Sequence, residues 1–368
     1  MMSLERYFGC FDSIEDPRTG NNKYHPLDNI IFITLSGILC GCNTFVHIEE
    51  FGKARIEFFK KYLDMIHGVP SHDTFGDVFA IIDPKQFAEC FESWTDTIRD
   101  RVDGDIVAFD GKTVKASFNK SKGQSALHLM NVWSCKNKIC LAQNRCDIKS
   151  NEVQALEYFL EKLDLDNCTV TADAMHCHKK TTKLITDAGA DYVLGLKGNE
   201  KKLHEYCKNQ FAAYDSECES YGFDENKHGR LDSRTVDFIQ IDDKSNKALN
   251  GWINLNSFLR ITSLRTTNGL AKEEVRYYIT SLTDNRRAYE ASRYHWQIEN
   301  NCHWVLDNTF DEDRCTVREK NTGENFAYMR KFALNIIGRV KNQTTSYWKI
   351  KFRALMNDEV LVSLLQEF

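Results

Sequence analysis

The sequence lacks the short motifs that mark several common enzyme classes. No Gly-x-x-x-x-Gly-Lys-Ser/Thr, Gly-x-Gly-x-x-Gly or Gly-x-Ser-x-Gly occurs in its 368 residues. These motifs bind the phosphates of nucleotides, bind the pyrophosphate of dinucleotides and present the nucleophile of many serine hydrolases. Nucleotide hydrolysis, dinucleotide-dependent redox chemistry and serine hydrolysis are therefore without their usual signatures.

Paired cysteines and long apolar runs are also absent. The thirteen cysteines include no Cys-x-x-Cys, and an odd number without framework spacing favours free thiols in a cytoplasm over disulfides or a zinc ribbon. The longest apolar run, residues 30–42, is too short to span a bilayer and predicts a buried helix. No basic segment followed by an apolar stretch opens the chain, so we expect a cytoplasmic protein without a signal peptide or membrane partner.

The charge is acidic overall but basic in one segment. The net charge is −5, which argues mildly against a nucleic-acid partner. Residues 314–353, however, carry two acids and ten basic residues, namely Arg314, Arg318, Lys320, Arg330, Lys331, Arg339, Lys341, Lys349, Lys351 and Arg353. A solvated face is the ordinary interpretation, but a bias of one sign over forty residues favours a phosphate-contacting surface.

The order of predicted elements changes after the first hundred residues. All four prolines precede residue 85, and the apolar periodicity up to residue 100 predicts a separate helical module. Three short strands follow from residue 104, and then helix, strand, helix and strand alternate. This β-β-β-α-β-α-β order is that of an RNase H-like nuclease core, an α/β fold in which a mixed sheet is flanked by helices.

The second half predicts further segments. The strand-rich residues 228–283 predict an inserted β-subdomain, and residues 285–306 predict a helix. The predicted domains are a helical module at 1–100, a catalytic domain at 101–320 with a β-rich insertion at about 200–284, and a basic helical segment at 321–368.

Three acidic residues stand where a metal site would need them. Asp110 and Asp173 each end an apolar strand pattern, and Glu299 lies within a helical stretch. Carboxylates at such positions cost free energy of burial unless a cation binds, and hard divalent cations prefer oxygen ligands. Two such ions serve in-line displacement at phosphorus, so the pattern predicts an enzyme that cuts or joins nucleic acid.

Each acid also has an ordinary structural interpretation. Asp110-Gly111 is a common turn dipeptide, and Asp173 can cap the helix that follows it. The "DEDR" segment and the residues before it offer Asp307, Asp311 and Asp313 as further acids or as a solvated turn.

Histidines near these acids suggest an alternative, a transition-metal site. His295, Glu299 and His303 would form a stripe on one helix face, although histidine ligand pairs on a helix are usually four residues apart rather than eight. His176 and His178 could bind zinc, but no further ligands can be assigned, so a helix-capping or phosphate-contacting role is favoured.

Several cations and aromatic residues are candidates for DNA contact. Lys112 and Lys115 follow Asp110, and Lys197 lies at the end of a predicted strand, so they and His176 are candidate phosphate contacts. Ordinary surface lysines are the alternative. Trp296 and Trp304 could stack on an unpaired base, although packing against the sheet is the more frequent role of a helical tryptophan.

The chain resembles the DDE transposases of bacterial insertion sequences, most closely the ISAs-type and H-repeat-associated group. The resemblance runs from about residue 12 to residue 315 through these segments in order: "DPRTGNNKYHPL", "GVPSHDTFGDVFAIIDP", "VAFDGKTVKAS", "DIKSNEVQAL", "VTADAMHCHK", "DYVLGLKGNE", "HGRLDSRTV", "YYITSL" and "RYHWQIENNCHWVLDNTFDEDRC".

This resemblance implies a function and a site. It implies an RNase H-like catalytic domain in which Asp110, Asp173 and Glu299 bind two Mg²⁺ or Mn²⁺ ions. It implies that the helical module at 1–100 is a transposase-associated domain that contacts DNA. It also implies DNA partners, namely terminal inverted repeats and target DNA, a homodimer in the synaptic complex, and a bacterial cytoplasmic protein associated with the nucleoid when bound to DNA. An RNase H-like nuclease without strand transfer, and an inactive or domesticated DNA-binding relative, are the alternatives.

The last helix departs from the pattern of the wider insertion-sequence group. That group has Tyr-x-x-Arg-x-x-x-Glu-x-x-x-x-x-x-Lys, and the corresponding residues here are Ser292, His295, Glu299 and Leu306. Only the glutamate is retained. His295 or the nearby Arg293 is therefore a candidate to replace the arginine as a DNA contact, and neither is predicted to be catalytic.

Overall fold

The computed structural model describes residues 9–20, 23–118, 123, 125–146, 152–213, 219–227, 230–267, 270–317, 319–342 and 344–368. The chain forms two compact units. The first unit consists of residues 1–100, 111–149 and 299–368, and the second unit consists of residues 101–110 and 150–298. The division passes through one strand, between Asp110 and Gly111.

The helices alternate with strands only in the middle of the chain. In chain order they are α1 (Leu27–Leu39), α2 (Phe45–Ala54), α3 (Ile56–Phe59), α4 (His72–Ile81), α5 (Pro84–Ile98), α6 (Glu152–Lys162), α7 (Lys179–Asp187), α8 (Lys201–Ala213), α9 (Asn285–Tyr294), α10 (Trp304–Thr309), α11 (Lys320–Val340), α12 (Tyr347–Met356) and α13 (Asp358–Leu365). None of the described helices is long and apolar enough to cross a bilayer.

Helices from both ends of the sequence build the core of the first unit. Every residue of α1 except Asp28 is buried, which confirms the buried helix predicted from the apolar run. Helix α11 packs against α1, α4 and α5. The side-chain amide of Asn325 on α11 donates to the carbonyl oxygens of Phe79 and Ile82, at 2.9 and 3.0 Å. These bonds satisfy backbone groups at the end of α4 that burial would otherwise leave unpaired.

Local side-chain and backbone signals mark the start of α4 and the end of α7. The hydroxyl of Ser71 accepts a hydrogen bond from the backbone amide of Thr74 and caps α4. Helix α7 is followed by Gly189 at φ +72°, a conformation that glycine adopts without steric cost.

In the described part of the chain nine strands form one mixed sheet, in the order β3-β2-β1-β4-β5-β9-β8-β7-β6. Their bounds are β1 (Ile106–Val114), β2 (Leu127–Ser134), β3 (Ile139–Cys146), β4 (Thr169–Ala172), β5 (Asp191–Leu196), β6 (Glu219–Lys227), β7 (Arg230–Gln240), β8 (Ser257–Thr267) and β9 (Leu270–Thr280). Strands β2 and β3 are antiparallel, whereas β1, β4 and β5 are parallel. This arrangement confirms the predicted RNase H-like mixed sheet.

The β-rich insertion extends this sheet. Strand β9 pairs antiparallel with β5, and β8, β7 and β6 follow outward as hairpins. The sequence missed β6, because the predicted strand-rich block began only at residue 228. The insertion is thus continuous with the core sheet instead of forming a subdomain of its own.

Candidate active site

Two of the predicted acids lie side by side on neighbouring parallel strands. The register of β1 and β4 pairs Phe109 with Ala172, so Asp110 and Asp173 are the next residues on the two strands. Adjacent strands are about 4.8 Å apart, which brings the two backbones close enough for both carboxylates to serve one ion. Strand β1 continues to Val114, so the prediction that Asp110 ends its strand is wrong. Asp110 marks the end of parallel pairing.

Asp173 is accessible and is not used as a helix cap. Its side chain is 63% exposed, and it makes no capping hydrogen bond to the short 3₁₀ helix Ala174–His176. Its carboxylate oxygen lies 3.6 Å from Nε2 of His295, whose Nδ1 lies 3.3 Å from the hydroxyl of Thr171. The imidazole of His295 is the largest influence holding the pKa of Asp173 below its usual value, against the opposing effect of burial.

The turn after Asp173 is contacted by strand β5 and by the residues that follow β5. The side-chain amide of Asn199 donates to the carbonyl oxygen of Ala174 at 2.7 Å. A β-carbon placed on Gly195 would lie 3.1 Å from the backbone nitrogen of Ala174, so glycine permits the close approach of the strand. Sequence reasoning missed both residues as site residues, although both lie in the "DYVLGLKGNE" segment.

Lys197 follows β5 and is exposed. After His295 and burial, its positive charge is a further influence that lowers the pKa of Asp173. This position is compatible with the predicted phosphate contact, which remains a prediction.

Lys112 lies in a buried ionic cluster instead of facing DNA. It is 6% exposed, and its Nζ lies 2.7 Å from Asp307, 2.9 Å from Glu312 and 3.3 Å from Asp313. Burial opposes the charge of Lys112, but these carboxylates, Glu312 foremost, raise its pKa. Because its ammonium group is occupied by three carboxylates, the predicted phosphate contact is wrong for Lys112. Lys115 is exposed and lies 2.7 Å from Asp313, so its predicted DNA contact stays a prediction.

His176 is also interior. It is 1% exposed, and its Nε2 lies 3.6 Å from a carboxylate oxygen of Glu152. A side chain buried to this degree cannot reach a DNA phosphate, so the predicted contact is wrong for His176. His178 lies 3.1 Å from Glu200. The two histidines therefore contact different carboxylates, which gives no support to the zinc interpretation.

Glu299 is exposed and belongs to a π-helical turn, Ile298–His303, in which hydrogen bonding is i to i+5. It is assigned to the first unit, whereas Asp110 and Asp173 belong to the second. The predicted stripe of His295, Glu299 and His303 assumed a regular α-helix and is wrong. Nε2 of His303 lies 3.1 Å from the side-chain amide of Asn131, whereas His295 contacts Asp173 and Thr171.

The donor chemistry of the strand pair fits a hard divalent cation. Asp110 and Asp173 offer carboxylate oxygens from adjacent strands, which suits Mg²⁺ or Mn²⁺. Among the described residues, no group of three or more His, Cys, Asp or Glu side chains is arranged to hold a metal ion. The fit therefore extends to the aspartate pair, and the participation of Glu299 is a proposal.

The basic segment at 314–353 does not form one surface. Arg330, Lys331 and Lys351 are buried. The first two lie near the fully buried Glu312: burial alone would raise the pKa of this residue, but Lys112, Lys331 and Arg330 lower it to about 2. The prediction of a phosphate-contacting surface is thus wrong for these three residues.

The two flanking tryptophans differ. Trp304 is largely exposed, contrary to the favoured packing role. Trp296 is half-buried, and the guanidinium of Arg276 lies 4.7 Å from its ring centroid.

Comparisons with known proteins give consistent results along the whole chain. Residues 8–95 match the family described as DDE_Tnp_1-associated, and residues 102–336 match the family described as Transposase DDE domain. The chain is 32% identical over 373 residues to the "H repeat-associated putative transposase YhhI" of Escherichia coli K12, covering 99% of this chain and 98% of that protein.

Two further proteins are similar. The "Putative transposase YncI" of Escherichia coli O157:H7 is 33% identical over 379 residues, covering 98% of this chain and 96% of that protein. A structure of a piggyBac transposase synaptic complex with hairpin DNA aligns with a TM-score of 0.46 and 11% identity, covering 99% of this chain and 80% of that chain.

Proposed function

Because the chain belongs to the Transposase DDE domain family, we propose that it cleaves DNA at the ends of an insertion sequence and joins the freed ends to target DNA. The substrates would be double-stranded DNA carrying terminal inverted repeats and a target duplex. The synaptic complex would contain two copies of the chain, acting in the bacterial cytoplasm at the nucleoid.

One observation carries this proposal. Asp110 and Asp173 each follow the last parallel pair of β1 and β4, and this matched register supports a site in which both carboxylates bind a cation. We propose that Glu299 supplies the third carboxylate and that the three residues hold two Mg²⁺ or Mn²⁺ ions. When bound, such ions supply a water of lowered pKa and stabilise the departing 3′ oxygen.

The protein's own residues prepare this site. His295 favours the ionised form of Asp173, which is the form that binds a cation. Asn199 and Gly195 fix the backbone that follows Asp173, and fixed ligands lose less conformational entropy on binding. Lys197 adds a positive charge at the end of the next strand, where it can attract a DNA phosphate.

The test replaces each acid by its isosteric amide and measures cleavage of end-bearing DNA with Mg²⁺. We expect Asp110→Asn, Asp173→Asn and Glu299→Gln each to lower the cleavage rate by more than about 100-fold, since loss even of an outer partner of a metal ligand costs 10–100-fold. Asp242→Asn, at an exposed acid outside these strands, is the matched control and should cleave normally.

The same assay separates the rival functions. Cleavage without joining of the 3′ end to target DNA would identify a nuclease, and DNA binding without cleavage by the wild-type chain would identify an inactive relative. Normal cleavage by any one of the three variants would remove that residue from the mechanism.

A further inference from the structure

Helix α12 presents an exposed face that combines aromatic and basic side chains. Trp348 is 61% exposed and Phe352 is 49% exposed, and their rings stack at a centroid distance of 5.3 Å with an interplanar angle of 7°. Lys349 and Arg353 are exposed beside them. We call these four residues the α12 face. From them we infer a second DNA-contacting site, which rests on the proposed function.

The opposite side of α12 fixes the face to the first unit. Ile350, Lys351 and Ala354 are buried. Nζ of Lys351 donates to the carbonyl oxygen of Thr309 at 2.7 Å and lies 3.9 Å from the ring centroid of Phe310. Because Trp348 and Phe352 are four residues apart, one helix turn displays both rings outward.

The chemistry of the α12 face fits nucleic acid. Helix α12 has three basic residues and no acid within Tyr347–Met356, although the whole chain carries a net charge of −5. Cations bind backbone phosphates, and an exposed aromatic ring offers a surface on which an unpaired base stacks. The predicted occupant is therefore DNA with unpaired bases, such as the melted or cleaved end of an element.

A second copy of the chain fits this face less well. In a two-fold symmetric contact the same patch lies on both partners, so the Lys349 and Arg353 side chains of two copies would oppose each other. Like charges at a contact cost free energy, whereas a polyanion neutralises them. Charge complementarity thus favours DNA over self-association.

The position of the face along the chain is also suitable. Thr309 ends α10, which continues directly from the π-helical turn that contains Glu299. Ten helical residues span about 15 Å. Ten base pairs of DNA span about 34 Å. A DNA end bound at Glu299 is therefore long enough to reach the helix that Lys351 attaches to Thr309.

The test measures binding of two labelled DNA probes to the full-length protein in EDTA, so that affinity does not depend on catalysis. One probe is a blunt duplex of about 30 base pairs, and the other is the same duplex with four unpaired bases at one end. Light scattering on the same samples records self-association, and thermal unfolding confirms that each variant is folded.

The basic pair and the aromatic pair of the α12 face should affect DNA binding differently. Lys349→Glu with Arg353→Glu should weaken binding of both probes about tenfold and reduce the log–log salt slope by roughly 2, since each phosphate contact contributes about 0.9. Trp348→Ala with Phe352→Ala should weaken only the probe with unpaired bases, about tenfold or more. Lys247→Glu and Ile253→Ala, both exposed in the loop between β7 and β8, are the matched controls.

Two results would overturn the inference. One is unchanged affinity of both probes in all α12 variants. The other is a wild-type dimer that the aromatic variant dissociates without any loss of DNA affinity, which would assign the face to a second copy. Because binding is read in EDTA, failure of the α12 face and failure of the proposed cleavage by Asp110 are separate outcomes.

Discussion

At the scale of single residues, the site depends on small contacts around Asp173. The carboxylate of Asp173 contacts His295, and its following turn is bonded by Asn199 and approached closely by Gly195. Each of these residues lies in a segment that carries the family resemblance, but the sequence does not show which of them contact one another. Under the proposed function these contacts matter because a metal ligand displaced by about half an ångström loses its coordination geometry.

Gly195→Ala tests this dependence. The added β-carbon would lie 3.1 Å from the nitrogen of Ala174, so the backbone next to Asp173 must move. We expect DNA cleavage to fall at least about tenfold, with a stability loss of about 1–3 kcal/mol. Cleavage kinetics and urea unfolding would measure the two effects.

Gly198→Ala is the matched control for that variant. A β-carbon added to Gly198 would have no atom within 4 Å of it, and this glycine lies three residues further along the same segment. Its cleavage rate should equal that of the wild type. Equal rates for both glycine variants would show that the close approach to Ala174 does not position the site.

At the scale of elements, the ion pairs of Lys112 with Asp307, Glu312 and Asp313 connect the end of β1 to α10 and the segment that follows it. Lys112→Met would leave the fully buried Glu312 without its nearest cation. Removing one partner of a buried ion pair costs about 3–5 kcal/mol, so the free energy of unfolding should fall by that amount in urea titrations.

Lys115→Met provides the comparison within the same cluster. Lys115 is exposed and pairs with Asp313 at the surface, where solvent screens the interaction. Its unfolding curve should overlay that of the wild type. A similar loss in both variants would mean that burial of Lys112 is not the cause.

Sequence patterns predicted the elements better than their chemistry. Apolar runs and turn residues located β1 to β5, because burial and backbone strain leave strong local signals. The π-helical turn at Glu299 has no such signal, since it arises from a local change in hydrogen-bond register.

Charged residues were the main source of error. The sequence cannot distinguish a lysine on an outer face from one that neutralises a distant buried acid. Lys112 and Lys331 both lower the pKa of the buried Glu312. In the sequence Lys112 is 200 residues from Glu312, and Lys331 is 19 residues from it. Pairings over such sequence separations exist only after folding, and the same holds for the contact of His176 with Glu152.

At the scale of the whole molecule, stability should depend on acid pH through Glu312. The pKa of this carboxyl is lowered from 4.5 to about 2 in the folded protein. A lowered pKa means that its stabilisation is complete above about pH 4.5 and is lost as the pH falls toward 2. One pKa unit corresponds to about 1.4 kcal/mol, so about 3 kcal/mol should be lost over this range.

Glu312→Gln isolates this contribution. The free energies of unfolding of wild type and variant should differ most above pH 4.5 and converge as the pH falls toward 2. Urea titrations at a series of pH values would measure the difference. A difference that stays constant with pH would show that the titration of Glu312 is not its source.

The net charge of the chain and the charge of its local surfaces have opposite effects on DNA binding. The net charge of −5 would repel DNA, yet the α12 face and Lys197 offer exposed cations, and the proposed site at Asp110 and Asp173 would bind metal ions. Arg330, Lys331 and Lys351 of the basic segment are instead buried. DNA contact is therefore expected to be confined to particular surfaces.

The most direct measurement of the central claim is a structure of the full chain bound to end-bearing DNA with Mn²⁺, located by its anomalous scattering. We predict two ions about 3.5–4 Å apart. Each should lie about 2 Å from carboxylate oxygens drawn from Asp110, Asp173 and Glu299. Ions held elsewhere, or ions held by the two aspartates with Glu299 outside the coordination sphere, would contradict the three-carboxylate site.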